Sequence, residues 1–255
     1  MILMTLSWRS RKQITYLSIF ILIIVAIIAF FTWYLWPQPT CFDGKQNQGE
    51  EGIDCGGPCA EKCFGKVKDL IVLWTRVFKV SEGQYDAAAL IENPNLTAGS
   101  PVLRYQFRVY DADNILIAIR QGETFLNPQE RFVIFEPTID TGKRIPQRAF
   151  IEISDIDWKY IEKKPTSLVV AKKEFQNLPF PTLQIQIKNS SVFPVKDVFI
   201  AGVLFDEEGN VIGVSSTKLD RIEAQSTQLA SFTWPIPFDK EPANSKVFIR
   251  SKFNE

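Results

Sequence analysis

The pattern of hydrophobic and polar positions divides the chain into a continuous apolar run, a short cysteine-rich stretch, and a long region of alternating residues. No charged residue occurs between Gln13 and Phe42, and the core of this run covers 23 residues, 14–36. As an α-helix these residues would extend about 34 Å, enough to cross a hydrocarbon layer of about 30 Å. The pattern therefore predicts a transmembrane helix over residues 13–36, with Ile14 and Trp36 at the ends of the membrane anchor.

The basic residues around this run predict its orientation. Arg9, Arg11 and Lys12 precede it, and the first basic residue after it is Lys45. Because positively charged flanks stay in the cytoplasm, residues 1–12 are expected inside the cell and the rest outside. A cleaved signal peptide would have an apolar stretch of about 7–15 residues ending in small residues, whereas this run is longer and ends in bulky aromatics. The preferred interpretation is a single-pass cell-membrane protein that keeps its anchor.

Beyond residue 66 the chain shows the period of two that is typical of β-strands. Apolar residues alternate with polar ones at Leu103, Tyr105, Phe107 and Val109, and again at Leu183, Ile185 and Ile187. Successive side chains of a strand point to opposite faces, so one face is expected in a core and the other in water. The turn-forming stretches "DADN" and "DEEGN" fit hairpins between such strands.

This β-rich region contains an internal repeat with offsets of 95 to 98 residues. The matches are Ala89–Asn95 with Ile185–Ser191, including Asn93 with Asn189; Tyr110-Asp111 with Phe205-Asp206; Asn114 with Asn210; Leu126 with Ile222; and Ala149 with Val247. Six or seven short strands in each copy favour an Ig-like sandwich. The predicted fold is mainly β: a transmembrane helix, a cysteine-rich neck (37–66), and two tandem β-sandwiches (67–160 and 168–255) joined by a linker (161–167).

Most conspicuous residues of the repeat have ordinary structural roles in this interpretation. Trp74, Trp158 and Trp234 are expected to pack in cores or at the domain junction, since aromatic side chains supply much of the buried area. Asp111 and Asp206 are expected to form turns. Asn93 and Asn189 are expected to hydrogen-bond loop backbone.

Composition excludes several classes of function. The chain has 29 basic and 29 acidic residues and no histidine. Without histidine it cannot form a Ser-His-Asp triad or a histidine-ligated metal site, and no phosphate-binding glycine loop is present. No basic run suggests a nucleic-acid partner. The sequence predicts no enzyme activity; a glycosidase-type alternative would need two inward carboxylates about 5–10 Å apart.

The four cysteines, Cys41, Cys55, Cys59 and Cys63, have the spacing C-x13-C-x3-C-x3-C. Zinc sites usually come as two C-x2–4-C pairs in reducing compartments, and a cytoplasmic zinc ribbon would require the opposite topology. In an oxidising exterior, four cysteines within 23 residues are expected to form two disulfides. Three pairings are possible.

Oxygen-bearing residues lie between these cysteines, at Asp43, Asn47, Glu50 and Asp54. Calcium prefers such oxygen ligands, so these four residues are a candidate calcium site. Asp and Asn also cap turns, and this explanation is preferred because turn chemistry alone accounts for the residue types. No cofactor other than calcium is suggested.

Two stretches resemble known families. The segment 41–63 is similar to a C-x-D-G-x-x-N-x-x-E-x-x-x-D-C-G-G-x-C module of extracellular bacterial and algal proteins, and this resemblance implies a spacer beside β-sandwich domains. The segment Val203–Phe232 resembles the FxLYD and late-embryogenesis sandwiches, which implies a structural or binding module. The residues that carry the second resemblance are Asn189 and Phe205-Asp206 in the second copy, and Asn93 and Tyr110-Asp111 in the first.

These observations together predict a membrane-anchored extracytoplasmic protein that presents two binding modules and performs no catalysis. Its partners would be the membrane and an envelope protein, contacted through loops or by strand addition at an exposed sheet edge. The alternative is a calcium- or small-ligand-binding envelope protein that uses the acidic cysteine-rich module.

Overall fold

The computed structural model describes residues 8–35, 39–63, 65–154, 156–162, 167–239 and 241–252. Two compact units divide the chain after Cys63. The first contains the helix α1 (Trp8–Tyr34). Its stretch Lys12–Tyr34 has 23 residues, and the most apolar 18-residue window within it has a mean hydropathy of 2.9 and is not buried within the protein. Its length and composition suit either a membrane anchor or a signal sequence. Ile14 is half exposed, and Trp36 lies outside the described residues.

The second unit consists of antiparallel β-strands, as the sequence predicts. Their bounds are β1 (Ile71–Ser81), β2 (Gln84–Asn93), β3 (Ala98–Tyr110), β4 (Leu116–Leu126), β5 (Glu130–Asp140), β6 (Arg148–Ile153), β7 (Lys159–Tyr160), β8 (Leu168–Gln176), β9 (Thr182–Asn189), β10 (Val195–Phe205), β11 (Val211–Ile222), β12 (Thr227–Thr233) and β13 (Asn244–Ser251). No described strand spans the predicted linker 161–167, of which residues 163–166 lie outside the described ranges.

Four sheets form from these strands, with the orders β4-β3-β6, β1-β2-β5, β11-β10-β13 and β12-β9-β8, and β7 also pairs with β3. The first two sheets form one sandwich and the last two form another. The strands β1 to β6 of the first sandwich correspond in order to the strands β8 to β13 of the second. With this correspondence, the two sandwiches have the same strand orders. The predicted fold class is therefore confirmed, and the internal repeat corresponds to two sandwiches of the same topology.

The hairpins between β3 and β4 and between β10 and β11 correct one detail of the repeat. Asn114 has a φ of 60° and donates its N–H to the carbonyl of Asp111, while Gly209 has a φ of 81° and donates to Asp206. Asn114 is therefore equivalent to Gly209, and its predicted match with Asn210 is wrong. Both positions need a left-handed backbone, which glycine and asparagine tolerate best.

The register of the last strand in each sandwich corrects a second match. Val247 pairs with Gly202, and Ile151 pairs with Phe107. Phe107 and Gly202 lie three residues before the equivalent ends of β3 and β10. Val247 therefore corresponds to Ile151, and the predicted match with Ala149 is displaced by two residues. A shift of two keeps each side chain on the same face, so the hydrophobic pattern alone does not reveal it.

Strands β3 and β9 show the predicted alternation. The apolar residues of β3 are buried between the sheets of the first sandwich, and those of β9 between the sheets of the second. The largest fully buried side chains include Phe107, Phe132, Phe232, Leu183 and Ile185.

Strands β2 and β10 do not alternate, because they are buried on both faces. Ala87, Ala88 and Ala89 are all fully buried in β2, and residues 200–204 of β10 are all buried. A third apolar cluster explains this burial: Ala88 and Val133 of the first sandwich pack with Ala201, Val203 and Val214 of the second. The sheets thus stack in four layers, and the expectation of one face in water does not hold for the two middle ones.

The tryptophans pack as predicted. Trp234 is buried in the second core and donates its indole N–H to the carbonyl of Val214 at 3.2 Å. Trp158 packs against the first core, and Trp74 packs against the cluster between the sandwiches. All three are therefore accounted for by structural packing.

The aspartates that begin the two hairpins act as turn formers, which confirms that prediction. Asp111 Oδ1 accepts the N–H of Ile115 at 2.9 Å, and Asp206 Oδ1 accepts the N–H of Asn210 at 2.7 Å. The bond from Ile115 is the main cause of the lowered pKa of Asp111. For Asp206 the main cause of the lowered pKa is the side-chain amide of Asn210. Hydrogen bonds to the ionised carboxylate favour the charged form.

A fully buried asparagine, Asn189, holds together the loops at one end of the second sandwich. Its Nδ2 donates to the carbonyls of Phe193 at 2.8 Å, Glu223 at 3.1 Å and Ile222 at 3.3 Å. Its Oδ1 accepts the N–H of Ser191 at 3.0 Å. One side chain thus satisfies backbone groups around Phe193 and around Glu223, the second of which is 34 residues after Asn189 in sequence.

Asn93 performs the same role in the first sandwich. Its Nδ2 donates to the carbonyls of Ala98 and Asn127, both at 2.8 Å, and its Oδ1 accepts the N–H of Asn95 at 3.1 Å. The predicted contact of both asparagines with loop backbone is confirmed. Buried carbonyls without a donor are costly, so these residues are required by the fold.

We expect Asn189→Ala to lower the free energy of unfolding by about 2 kcal/mol, because it leaves buried carbonyls without donors. Asn210→Ala is the matched control, since Asn210 bonds only at an exposed hairpin, and it should cost about 0.5 kcal/mol or less. Urea unfolding of the full chain in mild detergent, followed by tryptophan fluorescence, measures both. Equal losses in the two variants would contradict this role of Asn189.

Candidate functional site

The cysteine-rich segment is closed by two disulfides, as predicted. Cys41 bonds to Cys59 with a Cα–Cα distance of 5.7 Å, and Cys55 bonds to Cys63 with a Cα–Cα distance of 5.0 Å. The first cysteine is thus joined to the third and the second to the fourth, a choice that the spacing left open. These cross-links replace the apolar core that so short a segment cannot build.

The candidate calcium ligands lie together within this segment, where their oxygens accept backbone hydrogen bonds. Asp54 Oδ1 accepts the N–H groups of Asp43 at 3.0 Å and Gly44 at 3.1 Å. The buried Glu50 uses Oε2 to accept the N–H groups of Asn47 at 3.1 Å and Asp54 at 3.3 Å. The pKa of Asp43 is lowered chiefly by the hydrogen bond from the side chain of Asn47. Turn capping thus accounts for these contacts, and calcium binding by these residues stays a prediction.

The junction between the sandwiches contains a buried arginine that sequence reasoning missed. Arg250, near the end of β13, has its guanidinium carbon 4.0 Å from the ring centres of both Phe125 and Phe132. It donates to the carbonyl of Phe125, and its Nη2 lies 3.1 Å from Glu130 Oε2. A cation of the second sandwich is therefore held between two rings and a carboxylate of the first.

This contact is almost completely removed from water. The side chains of Arg250 and Glu130 are 7% and 14% exposed. Burial lowers the pKa of Arg250 from its usual range, and the charge of Glu130 opposes that shift. The strand end is fixed further by Asn127, whose Nδ2 donates to the carbonyl of Ser251 at 3.2 Å. A lone arginine near the end of a strand gives no hint in the sequence that it will be buried.

A cleft of about 370 Å³ lies beside this arginine, between the two sandwiches. Its walls combine apolar side chains such as Val133, Phe135 and Phe248 with Arg250 and Lys218. Lys218 already pairs with Asp197 at 2.6 Å, and Arg250 pairs with Glu130. Both cations of the cleft are therefore neutralised within the described protein.

The outer face of the β4-β3-β6 sheet carries a group of exposed or partly exposed side chains, apolar except for one arginine, here called the outer patch. In this sheet Arg108 pairs with Ile119 on one side and with Phe150 on the other. Ile119 is 52% exposed and Phe150 is 55% exposed. Tyr110 packs edge-to-face on Phe150 at 5.8 Å, and Leu116 pairs with Tyr110 in the next row. These five residues make up the outer patch.

A polar hollow adjoins the outer patch and completes the candidate site. It measures about 370 Å³ and is lined by Arg104, Gln106, Arg108, Gln121 and Glu152, among others. Arg108 Nη2 lies 2.9 Å from Glu152 Oε2. Apolar side chains beside polar groups are typical of surfaces that contact other proteins. The period of two predicts a solvent face only for the β3 residues Arg104, Gln106 and Arg108, and the sequence did not indicate that they lie beside an apolar patch.

Comparisons with known proteins do not establish a family. No protein-family model matches the sequence, and no curated protein matches it. Among solved structures, a red sea bream transglutaminase matches with 8% identity and a TM-score of 0.22, over 73% of this chain and 29% of that protein. The chain thus spans less than a third of the transglutaminase. A likeness at this TM-score carries no argument about activity.

We expect Arg250→Met to lower the free energy of unfolding by about 3 kcal/mol, because it leaves the carboxylate of Glu130 buried without its cation. Adding Glu130→Gln should restore part of that loss. Arg221→Met is the matched control, because the Arg221–Glu223 pair is 46% and 64% exposed and exposed pairs contribute little to stability. Urea unfolding of the single and double variants measures the coupling. Equal losses in the free energy of unfolding for Arg250→Met and Arg221→Met would contradict this role of the buried Arg250–Glu130 pair.

Proposed function

We propose that this chain is a membrane-anchored, extracytoplasmic interaction protein without catalytic activity. In this proposal the apolar part of α1 remains in the membrane as the anchor of residues 13–36, residues 1–12 lie in the cytoplasm, and all residues after the anchor lie outside. The observation that carries the proposal is an apolar helix exposed along its whole spanning stretch, followed by a segment closed by two disulfides. A helix that is apolar on all sides needs lipid around it, and disulfides persist in oxidising compartments.

Two resemblances seen in the sequence support the same assignment. The module at residues 41–63 is similar to spacers of extracellular proteins, and the second sandwich resembles the FxLYD group of structural or binding domains. A chain without histidine lacks the usual general base of hydrolytic enzymes, which favours binding over catalysis. We therefore assign the first unit to anchoring and the second to recognition.

The outer patch is the surface that we assign to a protein partner of the envelope. Ile119 on β4 and Phe150 on β6 are half exposed on either side of β3, so a partner could cover both at once. Arg108 lies between them and already has Glu152 as its counter-ion, so covering the patch would not leave a buried charge unpaired. Such a contact gains from apolar burial at its centre while the hollow supplies polar groups at its rim.

The proposed orientation predicts where thiol reagents react. In intact cells the native cysteines should react with a membrane-impermeant maleimide only after treatment with an impermeant reductant, because both pairs are oxidised. A Thr5→Cys variant is the control and should react only after the cells are permeabilised. Mass spectrometry of the mature protein should still show residues 1–36. Reaction of the native cysteines only after lysis, or a mature chain that begins beyond residue 36, would contradict the proposal.

The role of the outer patch predicts a selective loss of partner binding. Photo-crosslinking in intact membranes should capture an envelope protein with the wild-type chain, and Ile119→Glu or Phe150→Glu should reduce this capture by at least about ten-fold, as expected for a hot-spot residue. Val192→Glu is the control, because Val192 is 71% exposed in the other sandwich. Urea unfolding should show that all three variants remain folded. Unchanged capture by both patch variants would remove the patch from the binding surface.

A further inference from the structure

One edge of the second sandwich lacks the features that usually keep sheet edges apart. Unpaired strand edges are templates for pairing, and native proteins protect them with charges, proline or bulges. Strand β12, Thr227–Thr233, has the sequence TQLASFT, with no charge and no proline. It pairs with β9 in continuous register, without a bulge. Each of the other edge strands in the part of the chain that the structure describes carries at least one charged residue.

The equivalent edge of the first sandwich shows the contrast. Strand β5 occupies the place of β12 in the same strand order, and it carries Arg131 and Pro137. Its residue Thr138 has a φ of 56°, and its register with β2 is interrupted by a bulge. The two sandwiches therefore share a topology, but of these two equivalent edge strands β12 is the one that lacks charge, proline and a bulge.

We propose that β12 pairs antiparallel with β12 of a second copy of this chain, so that two β12-β9-β8 sheets join into one six-stranded sheet. Pairing centred on Ala230 places Leu229 opposite Ser231 of the other copy and Thr227 opposite Thr233. Even-numbered residues then face even-numbered ones, so the buried Ala230 and Phe232 stay on the core side in both copies.

The residue types of β12 favour a second copy over another occupant. When a strand pairs with itself, a charged residue near its centre comes close to its own copy, and like charges opposite each other destabilise a sheet. Strand β12 avoids this cost, and its Thr–Thr cross-strand pairs are of a favourable kind. Leu229, which is 52% exposed, would gain a neighbour across the new contact.

The contact is small, so confinement of both copies to one membrane has to support it. A seven-residue strand pair buries less than the roughly 1,000 Å² expected of a stable interface. Two copies held in one membrane meet at a high effective concentration, which lets a weak contact form. This step rests on the proposed function, because it requires that α1 stays in the membrane.

Energy transfer between labelled full-length chains in phosphatidylcholine vesicles tests the pairing. The wild type should show transfer. The double variant Leu229→Lys/Ser231→Lys should weaken association about ten-fold, because it places lysines opposite each other across the contact. The double variant Leu229→Glu/Ser231→Glu should weaken association to the same extent, because it places glutamates opposite each other. An equal mixture of the two should recover transfer, because opposite charges then face each other.

Val169→Lys is the matched control, because Val169 is 48% exposed on β8 at the other edge of the same sheet, and it should leave transfer unchanged. Absence of transfer in the wild type, wild-type transfer in the lysine variant, or failure of the mixture to recover would each overturn the proposal. The second result would show association through another surface, such as α1. Reconstituted vesicles hold α1 in lipid whatever its orientation in a cell, so this test can fail while the proposed function stands.

Discussion

The second unit depends on the contact between the β1-β2-β5 and β11-β10-β13 sheets. Two sheets can pack about 10 Å apart only where their facing side chains interlock. At the centre of this contact the residues are small or β-branched: Ala88 and Val133 on one side, and Ala201, Val203 and Val214 on the other. Larger aromatic residues surround them, among them Trp74, Phe78, Phe135, Phe205 and Phe248. The contact thus has an apolar middle layer comparable to the interior of a sandwich, and it joins the two copies into one body.

Arg250 adds an orientation-dependent interaction to this apolar contact. Apolar burial is not directional, so by itself it would tolerate sliding of one sheet over the other. The guanidinium is stacked between two rings and paired with Glu130, and a planar cation in such a site accepts few other arrangements. A buried ion pair adds little net stability, but removing one partner is costly. The stacked and paired geometry therefore favours one arrangement of the two sandwiches over others.

The sequence predicted the parts of the fold that depend on local pattern. The alternation in β3 and β9, the turn chemistry of Asp111 and Asp206, and the uninterrupted apolar run of α1 each follow from neighbouring residues. The apolar run Ala87–Ala89 is visible in the sequence, but a short apolar run is compatible with several kinds of buried segment. Only the packing of the second sandwich shows that this strand is buried on both faces. The disulfide pairing and the burial of Arg250 depend on residues far apart in the chain, so neither could be read from spacing.

The similarities and differences between the two sandwiches follow from the environment of each residue. Asn93 and Asn189 both donate to loop carbonyls, including those of the equivalent residues Asn127 and Glu223, because each sandwich must satisfy the carbonyls of its own loops. The middle sheets are apolar on both faces, because each covers the other. That burial leaves the outer sheets, the loops and the strand edges for recognition. The outer sheet of the first copy bears exposed Ile119 and Phe150, whereas β9 in the outer sheet of the second presents Gln184, Gln186 and Lys188. A duplicated fold that buries one face of each copy thus has two outer surfaces of different chemistry, and each can serve a different contact.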